Sequence, residues 1–254
     1  MGSVIAVAGK GGSGKTTVSA LLVRLIREAK TSSSVLAIDA DPNSNLAEVL
    51  GVKPAKSIGS VLDGIAQDPS RIPSGMPKER YIEYELQTAI EEAGGFDILT
   101  MGRPEGPGCY CYVNNVLRNI MAGLIRDYDY VIIDNEAGLE HLSRRTTRSA
   151  DVFLVISDPT PVGLRAAQRI IELAEELRIA AAKKLLIINR ALLKERCRAA
   201  SNRQKFMRGE ADFLGYLPQD NRLAGLSLNG SPLTQLRDDS VSISAMRRLM
   251  DKIL

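Results

Sequence analysis

Histidine is almost missing from the 254-residue chain, with His141 as its sole imidazole. One histidine excludes a His-rich metal site. It also argues against a Ser-His-Asp triad, which needs an imidazole between nucleophile and carboxylate. Tryptophan is absent and aromatic residues make up 4% of the chain, too few for a surface that stacks the bases of a single strand. Three cysteines, Cys109, Cys111 and Cys197, cannot complete a disulfide framework. No apolar run approaches the roughly 18 residues of a membrane span, and the N-terminus carries no signal-peptide pattern. The expected compartment is therefore the cytoplasm. The formal charge of +3, from 33 basic and 30 acidic residues, points to no nucleic-acid partner without a clustered patch.

What is present is enough apolar material for a core. Apolar residues are 44% and charged residues 25%, the balance of a soluble globular chain. The length fits one large domain or two small ones. Residues 4–8 (VIAVA) form a short apolar run that ends in glycine, the pattern of a strand buried on both faces. Val18, Leu21, Leu22, Leu25, Ile26 and Ala29 then share one helical face, between Lys15 and Ala29. Residues 35–38 (VLAI), 131–133 (VII), 152–156 (VFLVI) and 185–188 (LLII) repeat the strand signal, and residues 161–178 carry another apolar helical stripe. The alternation predicts an α/β fold: a doubly wound, mostly parallel sheet with helices on both faces, in a single domain over residues 1–254. Residues 81–93 fit both periods, and a helix is the preferred reading. Near the C-terminus, Met246, Leu249, Met250, Ile253 and Leu254 share a helical face that is expected to pack on the core rather than lie on a membrane. The basic residues between Lys194 and Arg208 read as a solvated helix rather than a DNA surface.

Gly9-Lys10-Gly11-Gly12-Ser13-Gly14-Lys15-Thr16 matches GxxxxGK[ST], after a strand and before a helix. Glycines let the backbone curl so that N–H groups face phosphate oxygens, and the helix N-terminus adds positive potential. Gly11, Gly12, Ser13, Gly14, Lys15, Thr16 and Thr17 are the expected nucleotide contacts. Lys15 supplies a point charge for the β- and γ-phosphates, and the Thr16 hydroxyl a ligand for Mg²⁺. The loop reads GKGGSGKT, with Lys10 ahead of the usual lysine. It resembles the deviant Walker A loop of the MinD/ParA/nitrogenase-iron-protein class of P-loop ATPases. That resemblance implies ATP as substrate, a homodimer, and a Lys10 that crosses the interface to phosphates held by the other subunit.

Asp39 and Asp41, two residues apart at the end of a strand (Ile38-Asp39-Ala40-Asp41-Pro42), are expected to point together toward Mg²⁺ or its waters. By resemblance, Asp41 positions the attacking water and Asp39 supports the metal shell. Residues 131–138 (VIIDNEAG) have the form of a Walker B strand running into switch II. Asp134 would reach Mg²⁺ through water and Gly138 would let the segment swing, while His141 reads as solvated. Asn189 offers an amide able to donate to and accept from an adenine edge. Tyr216-Leu217-Pro218-Gln219-Asp220 resembles the loop that packs on the base in this class, and gives Pro218 as a contact.

Cys109 and Cys111 follow a glycine- and proline-rich stretch, residues 102–108. Two thiols at this spacing can bind one soft ion but cannot close a tetrahedral site, which needs four ligands. Two chains would supply four sulfurs, so a dimer could set four thiolates on its axis. Thiolates suit Zn²⁺, Cu(I), an Fe–S cluster or a sulfur-ligated Ni²⁺. Inert cysteines, a redox couple and a permanent structural zinc are competing readings. Cys197, within KERCRAA, reads as an ordinary thiol. Gly106-Pro107-Gly108-Cys109-Tyr110-Cys111, together with GKGGSGKTT and DNEAGLEHLSRRT, resembles the CooC family. These are accessory ATPases that mature the nickel enzymes carbon monoxide dehydrogenase and, in the relative AcsF, acetyl-CoA synthase. The resemblance implies a homodimer that binds Ni²⁺ or Zn²⁺ through Cys109 and Cys111 and uses ATP to deliver nickel to such a client. Two other classes compete. A nitrogenase-iron-protein-like Fe–S ATPase has a second cysteine just past the switch II aspartate, where residues 135–139 hold none. A MinD/ParA-like positioning ATPase would act through membrane or DNA.

Overall fold

The computed structural model describes residues 2–102, 111–136, 149–192, 194 and 196–254, with the backbone alone at 111–115. β1 (Ser3–Gly9) leads into α1 (Lys15–Ala29) and β2 (Val35–Ala40). The short α2 (Asn45–Leu50) follows, then α3 (Ile58–Gln67), α4 (Lys78–Thr88) and the hairpin of β3 (Ile90–Ala93) and β4 (Phe96–Thr100). Next come α5 (Cys111–Leu124), β5 (Tyr130–Asn135), β6 (Ser149–Ser157) and α6 (Pro161–Glu176). The remaining described elements are β7 (Ala180–Ala191), α7 (Arg196–Phe206), β8 (Asp212–Pro218), α8 (Asn221–Leu228) and α9 (Val241–Ile253).

Among the described residues these strands form one sheet in the order β3-β4-β2-β5-β1-β6-β7-β8. Every pairing is parallel except β3 with β4. The first βαβ unit is therefore an open one: β5 sits between β1 and β2. Strand side chains alternate between the two faces. Val4, Ala6 and Ala8 of β1 join one apolar cluster, and Ile5 and Val7 join the other. Leu62, Ile82, Leu117 and Leu164 bring α3 to α6 onto the first face. Leu22, Leu46 and Met246 bring α1, α2 and α9 onto the second. Each such buried side chain contributes about 1.5–3 kcal/mol against the entropy of ordering it. The doubly wound α/β expectation holds.

Residues 81–93 divide. Ile82 and Leu86 are buried on α4, as a helix requires, but the helix stops at Thr88. Gly94 and Gly95 then make a two-residue turn, with Gly95 at φ +91°, and β3 runs antiparallel to β4 from Ala93↔Phe96 to Ile90↔Leu99. The helical reading is corrected at 90–93, where strand pairing outcompetes one more helical turn. Most of the C-terminal stripe packs on the core: Met246, Met250 and Ile253 are buried and Leu249 is half-buried against them, while Leu254 is exposed. No helix among the described residues is long and apolar enough to cross a membrane. On α7, the Arg196 guanidinium lies 5.5 Å from the Tyr216 ring centroid and that of Arg203 lies 4.6 Å from the Phe213 ring centroid. The basic stretch is thus laid partly over the aromatic rings of β8.

Candidate active site

The phosphate loop joins the end of β1 to the start of α1. Gly14 is the residue before the helix, at φ +94°, and Gly12 sits at φ +74°. The Ser13 N–H donates to the Lys10 carbonyl at 3.1 Å, and the Val18 N–H to the Gly14 carbonyl at 3.0 Å. Lys15 is buried while Lys10, Gly11 and Gly12 are exposed. Thr16 and Thr17 are half-buried in the first turn of α1.

The sheet order places the carboxylates. Asp134 on β5 is level with Val7 on β1 and with Asp39 on β2. Parallel strands deliver both carboxyl groups to the carboxyl end of the sheet, beside the loop. Asp134 is 1% exposed. Its Oδ1 accepts from Ser19 Oγ at 3.1 Å. Its Oδ2 is buried with no hydrogen-bond partner. Burial pushes its pKa up to about 6, against the opposing pull of the nearby Thr16 and Ser19 hydroxyls and the charge of Lys15. Asp39 is fully buried. Its Oδ2 accepts from the Leu46 N–H at 2.8 Å and its Oδ1 from the Asp41 N–H at 3.2 Å. Burial, then the neighbouring Asp134 charge, raises its pKa to about 7. Asp41 lies one residue past β2, and its Oδ1 accepts from the backbone N–H and the Nδ2 of Asn43, each at 2.9 Å.

Two adjacent buried carboxylates strained toward protonation, one with an oxygen left unpartnered, suit a hard divalent cation that takes oxygen ligands. Thr16 and Asp134 share that corner with Lys15. Asp39 already spends both oxygens on backbone N–H groups, so its fit is to the outer shell. Asn135 Nδ2 donates to the Val7 carbonyl at 2.9 Å and ties β5 to β1 at the same level.

On the far side of the loop, Asn189 Nδ2 donates to the Ser13 carbonyl at 2.9 Å and Asn189 Oδ1 accepts from the Arg190 N–H. Arg190 Nη1 donates to the Gly12 carbonyl at 3.1 Å. Asn189 therefore faces the phosphate loop with one N–H and one lone pair left over. Pro218 ends β8 level with Ala191. Two residues on, Asp220 caps α8 through the Arg222 and Leu223 N–H groups and binds Ser240 Oγ and the Ser242 N–H at the start of α9. Burial acts to raise the Asp220 pKa, but these hydrogen bonds outweigh it and hold the carboxyl below its usual range.

The sequence reading missed Ser19, Asn135 and Arg190. Ser19 was discoverable, since it falls one helical turn after Thr16, on the same face. Cys109, the Cys111 side chain, Gly138 and His141 lie outside the described residues. Cys111 opens α5, and Cys197 is a free, exposed thiol. Among the described residues, no group of three or more His, Cys, Asp or Glu could hold a metal ion.

Known proteins resemble this arrangement. The family described as the CobQ/CobB/MinD/ParA nucleotide binding domain matches residues 4–233. An uncharacterized ATP-binding protein of Methanocaldococcus jannaschii is 40% identical over 253 residues, covering 99% of this chain and 98% of its own. The carbon monoxide dehydrogenase accessory protein CooC of Rhodospirillum rubrum is 32% identical over 191 residues, covering 69% and 70%. The septum site-determining protein MinD of Pyrococcus horikoshii, solved with Mg-ADP, superposes with a TM-score of 0.71 at 22% identity, covering 100% of this chain and 96% of that one.

Proposed function

The chain belongs to the CobQ/CobB/MinD/ParA nucleotide-binding family, and on that premise we propose that it is a homodimeric ATPase that delivers nickel to a client enzyme. ATP binds at residues 9–16, with the Lys15 ammonium against its β- and γ-phosphates and loop N–H groups around them. Thr16 and Asp134 would hold Mg²⁺, with Asp39 as a supporting carboxylate. When bound, that ion neutralises charge on the phosphates. Asp41 orients the attacking water, and Lys10 reaches from each chain to the phosphates of its partner. Asn189 and Pro218 border the base. One observation carries the ATPase reading: the unpartnered Oδ2 of Asp134, buried beside Thr16 and Lys15. A divalent cation beside the Thr16 hydroxyl would give that oxygen a partner.

The cargo reading draws on Cys109-Tyr110-Cys111 together with the 32% identity to CooC. A soft ion, Ni²⁺ or Zn²⁺, is held by two cysteine pairs, one from each chain, and passed to carbon monoxide dehydrogenase or acetyl-CoA synthase. The experiment is metal content by elemental analysis and mass by light scattering, with and without ATP. The expected result is one Ni²⁺ per two chains, lost in the Cys109→Ser/Cys111→Ser variant while nucleotide affinity stays unchanged. An ion bound by each monomer alone, or retained by the double variant, overturns it. The likeness in fold to MinD favours a second reading, a positioning ATPase without cargo. ATP-dependent dimers that bind no Ni²⁺ would select it.

A further inference from the structure

In a regular strand, consecutive side chains point to opposite faces. Asn189 and Arg190 break this rule, because both reach the phosphate loop. Asn189 Nδ2 holds the Ser13 carbonyl at 2.9 Å, and Arg190 Nη1 holds the Gly12 carbonyl at 3.1 Å. The backbone explains how. Ile188 pairs with Tyr216 and Ala191 with Pro218, so three steps along β7 match two along β8. One extra residue is accommodated there, which is a β-bulge, a device that re-aims side chains. Within it Arg190 adopts φ +56°, a left-handed conformation that an arginine adopts at a cost.

The two contacts have a directional consequence. A trans peptide points its carbonyl and its N–H in opposite directions. Drawing the Ser13 carbonyl to Asn189 aims the Gly14 N–H away from β7. Drawing the Gly12 carbonyl to Arg190 does the same for the Ser13 N–H, which closes the turn onto the Lys10 carbonyl at 3.1 Å. The peptides of the loop are thus oriented from outside, before any ligand arrives.

We propose that the bulge at the end of β7 builds a clamp of Asn189 and Arg190 that presets the phosphate loop, and that Arg190 is a positioning residue for nucleotide binding. The proposal rests on the ATPase reading above. Its strained backbone and its guanidinium separate experimentally. Arg190→Gly relieves the left-handed conformation and removes the donor. Arg190→Lys keeps a cationic donor of similar reach.

The test is titration of each protein with a fluorescent ADP analogue and Mg²⁺, alongside the thermal midpoint without nucleotide. Arg190→Gly should weaken affinity by roughly three- to tenfold, as expected for loss of one exposed hydrogen bond that acts on the ligand only through the loop. Its nucleotide-free midpoint should stay at or above that of the parent, a split that a merely structural residue would not produce. Arg190→Lys should recover most of the affinity. Unchanged affinity in Arg190→Gly, or equal losses in Gly and Lys, overturns the clamp. Failure of the parent protein to bind the analogue overturns the ATPase reading instead, so the two failures are distinguishable.

Discussion

Replacing Gly14 by alanine should destabilise the nucleotide-free protein by about 2–5 kcal/mol, and the structure divides that figure into two parts. Gly14 sits at φ +94°, and the left-handed region costs an alanine about 1–2 kcal/mol. A Cβ there would also lie 2.3 Å from Asn189 Nδ2. Asn189 must move, which leaves the buried Ser13 carbonyl without its donor at a further cost of about 1–3 kcal/mol. For a chain of this size the sum lowers the thermal midpoint by roughly 4–20 °C. Gly12→Ala is the control. Gly12 is also left-handed, at φ +74°, but nothing lies within 4 Å of its Cβ position. It should lose only the conformational part, about 1–2 kcal/mol. Adding Asn189→Ala to Gly14→Ala removes the clash, so the double variant should be less destabilised than the sum of the singles by about 1–3 kcal/mol. Urea unfolding and calorimetry without nucleotide read the parent and its variants, Asn189→Ala alone included. Equal losses for Gly12→Ala and Gly14→Ala, or strict additivity in the double variant, would refute the argument.

Lys10→Ala should bind nucleotide as a monomer with unchanged affinity yet fail to dimerise with ATP. Light scattering checks this, and normal ATP-driven dimers would remove the role across the interface. The pH dependence follows from Asp39 and Asp134, whose pKa values stand at about 7 and about 6 against an ordinary 3.8. Both are raised, so the folded chain keeps protons that the unfolded chain releases. Their contribution to stability is full below about pH 4 and is lost as pH rises toward 7. Calorimetry in chelator should show the nucleotide-free midpoint falling across that window. Asp134→Asn should flatten the slope between about pH 4 and 6, because an amide carries no charge to desolvate. A slope that steepens in this variant would contradict the assignment.

Much of the fold was legible because burial writes itself into period. The apolar stripe of α1 predicted Lys15–Ala29, and the helix has those bounds. The short apolar runs at 4–8 and 152–156 are β1 and β6, buried on both faces of a parallel sheet. β3 was not legible by period: Ile-Glu-Glu-Ala is four residues long and lies at the edge of the sheet. The Gly94-Gly95 pair was the signal that marked its hairpin. At the site, the loop motif and Asp134 were readable because their spacing is local. The Asn189–Arg190 arrangement was not, since it depends on how β7 registers with β8 and on one left-handed residue. Neither quantity is local in sequence. Asp39 shows the same limit: its oxygens are taken by Leu46 and Asp41, through a turn that strand alternation does not foresee.

The position of β5 between β1 and β2 also governs when the protein can fold during synthesis. β1 hydrogen-bonds to β5 and β6, with Ser3 opposite Tyr130 and Ile5 opposite Val152. The strand that carries the phosphate loop is therefore made before α1 to α5 and waits through all of them for β5 and β6, its two neighbours. Until then both of its edges are open, and an apolar strand with open edges invites mispairing. Delayed closure of this kind makes for slow folding and long exposure of residues 4–8 to other nascent chains.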